Sequence, residues 1–212
     1  MSISFFAASY TTSIVYAAPV VVLAFVYWAL SKRAQTQVKR ASKIPTEVDT
    51  TRALAEYFKT RELTDVSVVK GEDYLKNEYD ATAKAVKLSP DVFGCVDLGS
   101  LAYALHVGAE AESARRAPGE LPTSAKLGSI ATVIFWCVFG VLGAGVMTGN
   151  LPSTLIGYVL FAVMAAVNAK KQSIMKRIDD DARHFVTTSK LFDAATAEQL
   201  AKTIDAIRKV GE

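Results

Sequence analysis

The chain has 212 residues, a formal net charge of +3 and 51% hydrophobic residues, with a mean hydropathy of +0.24, a balance that points to one modest domain in a membrane protein. The charge is too small for a nucleic-acid partner, and Lys32, Arg33, Lys39, Arg40 and Lys43 gather behind the first apolar segment, where membrane topology accounts for them. Cys95 in a polar stretch and Cys137 in an apolar one make neither a disulfide framework nor a cysteine zinc site, and two histidines, His106 and His184, exclude a three-histidine centre.

No charge precedes Lys32, and residues 14–30 form an almost unbroken apolar run that ends in Tyr27 and Trp28, side chains suited to a membrane interface. A signal peptide carries a basic start and a shorter apolar core. The run is therefore read as a retained anchor, extended upstream by Phe5 and Phe6. The cations behind it put the following residues on the cytoplasmic or matrix side. Residues 47–61 read as an amphipathic helix capped by Asp49 or Thr50, with Leu54, Tyr57 and Phe58 on one face. Residues 64–69 and 85–88 alternate as short strands, joined through Gly71 and Asp80, and predict a small hairpin or ribbon. Ser89-Pro90 has the form of a helix start, with Gly94 as an interruption.

A helical pattern from Asp97 to about Arg116 carries His106 and, four residues on, Glu110. Spacing of four puts both on one face, as in an H-E-x-x-H zinc helix, where two His hold the metal and the Glu serves as base. Here Val107 stands at the base position and Glu110 at the second ligand position. Pro118 and Pro122 end the helix. Residues 127–169 then hold no charge over about forty residues, near twice the length of one span. The break at 148–153 makes this a helical hairpin whose outer ends, Lys126 and Lys170-Lys171, face the side of the middle region. Gly140, Gly143, Ala144 and Gly145 are small enough to admit another helix. In the polar, helical tail, Thr196-Ala197-Glu198-Gln199 has the form of a capping box before Leu200, Ile204 and Ile207.

In order, Leu63-Thr64-Asp65-Val66, Tyr79-Asp80, Leu88-Ser89-Pro90-Asp91-Val92-Phe93, Leu105-His106 and Asp179-Asp180-Asp181-Ala182-Arg183 fall around the apolar spans. This succession resembles the membrane-bound neutral zinc metallopeptidases of the bacterial YugP type, from about residue 14 to the end. The resemblance implies an anchor, a small zincin-like domain, a transmembrane hairpin and a zinc site. His106 matches the family's first ligand, Val107 replaces its catalytic Glu, Glu110 its second His, and Asp179 approximately matches its downstream acidic ligand. An alignment that deletes the Glu matches Val107-Gly108 to the family's Val-Gly and leaves Ala109 at the second His. Neither restores a base and a pair of histidines.

The expected fold is mainly α and integral to a membrane: an N-terminal transmembrane anchor (1–31), a helical zincin-like domain with a short β ribbon (32–125), a transmembrane hairpin (126–170), and C-terminal helices packing on that domain (171–212). The expected function is that of a non-catalytic pseudo-peptidase, a structural subunit of a larger complex such as a mitochondrial respiratory complex or ATP synthase. The alternatives are a membrane zinc peptidase with an altered site and a membrane assembly factor or adaptor. No catalytic, cofactor-binding or metal residue is expected; His106, Glu110 and Asp179 are the residual metal candidates, for zinc. The expected partners are membrane lipid and other subunits, in the mitochondrial inner membrane or, as the competitor, a bacterial inner membrane, with the bulk of the chain on the matrix or cytoplasmic side. Glu112, Arg115 and Arg116 read as a solvated face or a partner contact, His184 as an ordinary half-buried histidine, and Asp179, Asp180 and Asp181 as acids pointing in three directions.

Overall fold

A computed structural model describes residues 2–74 and 76–210. The chain divides into two compact units, Met1–Leu30 with Thr123–Ser173, and Ser31–Pro122 with Ile174–Glu212. Helix α1 runs over Ser2–Ala41, α4 over Glu120–Thr148 and α5 over Leu151–Thr188. All three contribute to both units.

In the first unit, α4 and α5 are long and apolar enough to cross a membrane. Their packed seam is narrow. Val138 and Leu142 turn inward against Ile134, Tyr158, Leu160 and Phe161. Phe139 and Met147, in contrast, are 68% and 75% exposed. A water-soluble core helix buries most of such surface, whereas here the apolar side chains face outward. Gly149 turns the chain at φ +64°, a left-handed conformation that glycine adopts without strain. The Asn150 side chain then accepts from Ser153 N at 3.4 Å at the head of α5. Of the small residues in α4, Gly145 makes the close approach: a methyl there would lie 2.7 Å from Thr154 Oγ1 and 2.9 Å from its backbone N. Gly140 and Gly143 face open space.

In the second unit, Ala34, Val38 and Ala41 bury one face of the last turns of α1. Helix α2, Thr50–Thr60, starts at Asp49, whose carboxylate accepts from Arg52 N at 2.9 Å. Three strands follow: β1 Ser67–Lys70, β2 Glu78–Asp80 and β3 Ala85–Leu88. Helix α3 occupies Leu98–Arg116, capped by Asp97, and α6 occupies Ala194–Val210. Fourteen of the nineteen α3 residues are buried, which makes this helix the axis of the unit.

The sheet corrects the expected hairpin. Its order is β1-β3-β2, with β1 parallel and β2 antiparallel to β3. Asp80 makes this possible by taking Thr82 N and Ala83 N on one oxygen, closing a tight turn, and Lys87 Nζ on the other at 2.6 Å. Lys87 and the turn amides hold the Asp80 carboxyl down at about 2. The central strand carries the buried Ala85, Val86 and Leu88. No helix begins at Ser89-Pro90. Thr50 Oγ1 donates to Val92 O and accepts from Gly94 N, drawing the segment into a turn that ends at Gly94, φ +73°. The α6 cap is also displaced. Asp193, rather than Thr196, accepts from Ala195 N and Thr196 N, so the helix starts earlier.

The start of α3 lies tight against the loop after α1, with Leu98 N bonded to Ile44 O at 3.0 Å. A methyl on Gly99 would lie 2.8 Å from Ser42 N and 3.0 Å from Ser42 Cα, both backbone atoms that cannot move aside alone. Gly99→Ala is expected to cost about 1–3 kcal/mol by overpacking, read from denaturant melts of the detergent-solubilised protein. Gly140→Ala, in open space, serves as the unaffected control.

Candidate functional site

His106 lies at the middle of α3, buried and 3% exposed, with a carboxylate near each ring nitrogen. Its Nδ1 lies 2.6 Å from Asp179 Oδ1, on α5; Asp179 is fully buried. Its Nε2 lies 3.8 Å from Glu110 Oε1, one turn along α3. Glu110, which the spacing of four puts on the same face as His106, is the looser of the two contacts, and Asp179, 73 residues away in sequence, is hydrogen-bonded to the ring. The second Asp179 oxygen is buried with no hydrogen-bond partner among the described residues.

The structure thus brings together the three residues His106, Glu110 and Asp179, but in an order that does not fit a hydrolytic zinc site. The two carboxylates flank opposite nitrogens of one ring, and an imidazole donates to a metal through one nitrogen at a time. A metal on Nε2 would meet Glu110 and not Asp179; one on Nδ1 would displace Asp179. Catalytic zinc takes three protein ligands and an open water position. Among the described residues, no three His, Cys, Asp or Glu side chains converge on a common point. Val107, at the base position, is fully buried, so no carboxylate stands there to take a proton from water. Asp179 on Nδ1 occupies the place where a carboxylate commonly orients a metal-binding histidine.

A second cluster lies one turn further along α3. Glu112, expected on a solvated face, is instead buried, with a side chain only 6% exposed. Its carboxylate accepts a short hydrogen bond from Tyr57 Oη and another from Arg116, and lies 3.5 Å from Arg61 Nε. Arg116 also donates to both Asp181 oxygens at 3.1 and 3.0 Å, and Arg61 donates to the Asp181 backbone carbonyl at 3.1 Å. Arg61 stacks over the Tyr57 ring, and Phe185 meets that ring edge-on at a centroid distance of 5.0 Å. Helices α2, α3 and α5 are joined here by charge and aromatic contact. The i, i+4 pairing of Glu112 with Arg116 and of Tyr57 with Arg61 was the available signal in sequence.

The acidic run divides as its helical geometry requires. Asp179 turns to His106, Asp180 to Arg183 at 3.3 Å and Asp181 to Arg116. His184 is exposed, not half-buried as expected. Cys95 and Cys137 are both free; burial, then Asp97 and Asp91, push the Cys95 thiol up, away from reactivity.

Burial, then the Glu112 carboxylate, push the Tyr57 phenol above its ordinary value of 10.0. Below that pH the phenol is protonated in the folded and unfolded chain alike and its contribution is complete. Above it the unfolded chain releases a proton that the folded chain retains, so stability falls as pH rises. Tyr57→Phe is expected to remove this alkaline component in denaturation series taken across pH 10. At neutral pH it costs about 1–3 kcal/mol, because buried Glu112 loses a donor.

Residues 14–169 match the model of a family described as "Putative neutral zinc metallopeptidase". No curated protein and no solved structure matches the chain.

Proposed function

We propose that this chain, which belongs to the neutral zinc metallopeptidase family, is a non-catalytic member that serves as a structural subunit of a larger membrane complex. The observation that carries the reading is the centre of α3. Val107 fills the base position, fully buried, and His106 is clamped between two carboxylates on its two nitrogens. Such a centre joins helices and has no means to activate water. The outward apolar faces of α4 and α5 support insertion in a bilayer, and the apolar first part of α1 is assigned the third span. We place the complex in the mitochondrial inner membrane, such as a respiratory complex or ATP synthase, with the bulk of the chain on the matrix side. The bacterial inner membrane fits the same charge pattern.

An active peptidase with an altered metal site is favoured by one observation, the bracing of His106 Nδ1 by Asp179. Metal analysis of the purified protein separates the two readings. We expect zinc well below one equivalent and no cleavage of denatured casein. Stoichiometric zinc that disappears in His106→Ala would overturn the non-catalytic reading. Solubilisation in mild detergent tests the subunit role: equimolar partners on native gels are expected, and a lone monomer contradicts it. An assembly factor would appear at less than one copy per complex.

A further inference from the structure

Charge in this chain is divided more sharply than its net +3 indicates. Residues 1–46 and 121–178 hold ten of the 24 Lys and Arg and none of the 21 Asp and Glu. They carry +10, and the rest of the chain carries −7. In each apolar segment the cations follow or precede along the same helix: Lys32 and Arg33 after Leu30 in α1, Lys126 before Leu127 in α4, Lys170 and Lys171 after Ala169 in α5.

The exposed end of α1 is the most ordered part of this pattern. Lys32 with Lys39, and Arg33 with Arg40, are seven residues apart and so share a helical face. That face lies opposite Ala34, Val38 and Ala41, which are buried. All four cations and Lys43 are exposed. Among the described residues, Arg177 with Glu120 at 2.8 Å is the single ion pair made by the ten. In the hairpin, Lys171 Nζ reaches from α5 towards α4, to within 3.5 Å of where a Gly128 methyl would stand, close in chain to Lys126. At 1.5 Å per residue, Lys32 to Arg40 covers about 12 Å beyond the span, the depth of a head-group layer and its ionic atmosphere.

We propose that the cations at the end of α1, and separately those at the outer ends of the hairpin, each bind anionic phospholipid head groups, resting on the assignment of the apolar segments to a bilayer. Orientation by positive charge requires only an excess of cations near the spans. A basic helical face continued for two turns beyond the span, free of acidic residues and of ion-pair partners, also matches the phosphate layer of an anionic leaflet. Membrane lipid then acts as a selective ligand of the α1 face and the hairpin ends, in addition to being their solvent.

The test is native mass spectrometry of the full chain in detergent, titrated with phosphatidylglycerol or phosphatidylcholine. Wild type is expected to retain the anionic lipid about tenfold better, with the preference falling to near parity in Lys39→Gln/Arg40→Gln/Lys43→Gln. These side chains are exposed, and an unchanged melting temperature in lipid-free detergent shows that the fold is intact; Lys170→Gln/Lys171→Gln is the second variant. Equal retention of both lipids by wild type, or an unchanged preference in both variants, overturns the proposal. So does displacement of phosphatidylglycerol by millimolar inorganic phosphate, which would make the surface a free-anion site. Release of wild type from its membrane by alkaline carbonate overturns the bilayer assignment itself; retention with equal lipid binding overturns the lipid surface alone.

Discussion

Helix α3 is enclosed on nearly every side, and the arrangement of the second unit follows from that enclosure. Leu101, Ala102, Leu105, Val107 and Ala109 reach zero exposure around its circumference. A polar side chain on such a helix has no water to turn to and must be matched from a neighbouring element. His106 is matched by Asp179 from α5, and Glu112 by Tyr57 and Arg61 from α2 and Arg116 from its own helix. These contacts set the register of α2 and α5 along α3, because each places a named side chain within hydrogen-bond reach. Gly108 lets α2 approach: a methyl there would lie 2.7 Å from Leu54 Cδ2.

Two positions of this helix depart from the H-E-x-x-H pattern, Val107, which is buried, and Glu110, which is half-buried. Valine at 107 gives a fully apolar contact where a carboxylate would need metal or water. Glutamate at 110 presents a carboxyl group to the imidazole where the H-E-x-x-H pattern has a second histidine. With Asp179 on the far nitrogen, one imidazole bridges two acids across two helices.

What could be read from the chain followed the strength of its local periodicity. Helix α2 has a one-sided apolar repeat, the hairpin a long uncharged run, and Asp49 and Asp97 sit where caps belong. The parallel pairing of β1 with β3 was not legible, because the three-residue β2 between them is half-buried and carries no alternation of its own. The false helix start at Ser89-Pro90 failed for a long-range reason: Thr50, from another element, takes Val92 O. At the candidate site, the His106–Glu110 spacing was visible, whereas Asp179 becomes the closer partner only through tertiary folding. Glu112 was misjudged because charge at the end of a helix reads as solvent-facing, and nothing nearby in sequence shows that Tyr57 covers it.

The second unit is made of two separated stretches of chain, with the hairpin between them. Synthesis therefore yields α3 long before Asp179, and before α6, whose Leu200, Ile204 and Ile207 are among its buried residues. Until the hairpin has been made, the Asp179 carboxylate that meets His106 has not been synthesised, whereas Glu112 already has Tyr57, Arg61 and Arg116. Completion of the interior is thereby tied to the passage of the apolar hairpin off the ribosome. A chain that stops before residue 174 lacks both Asp179 and α6, and so cannot close the interior around α3.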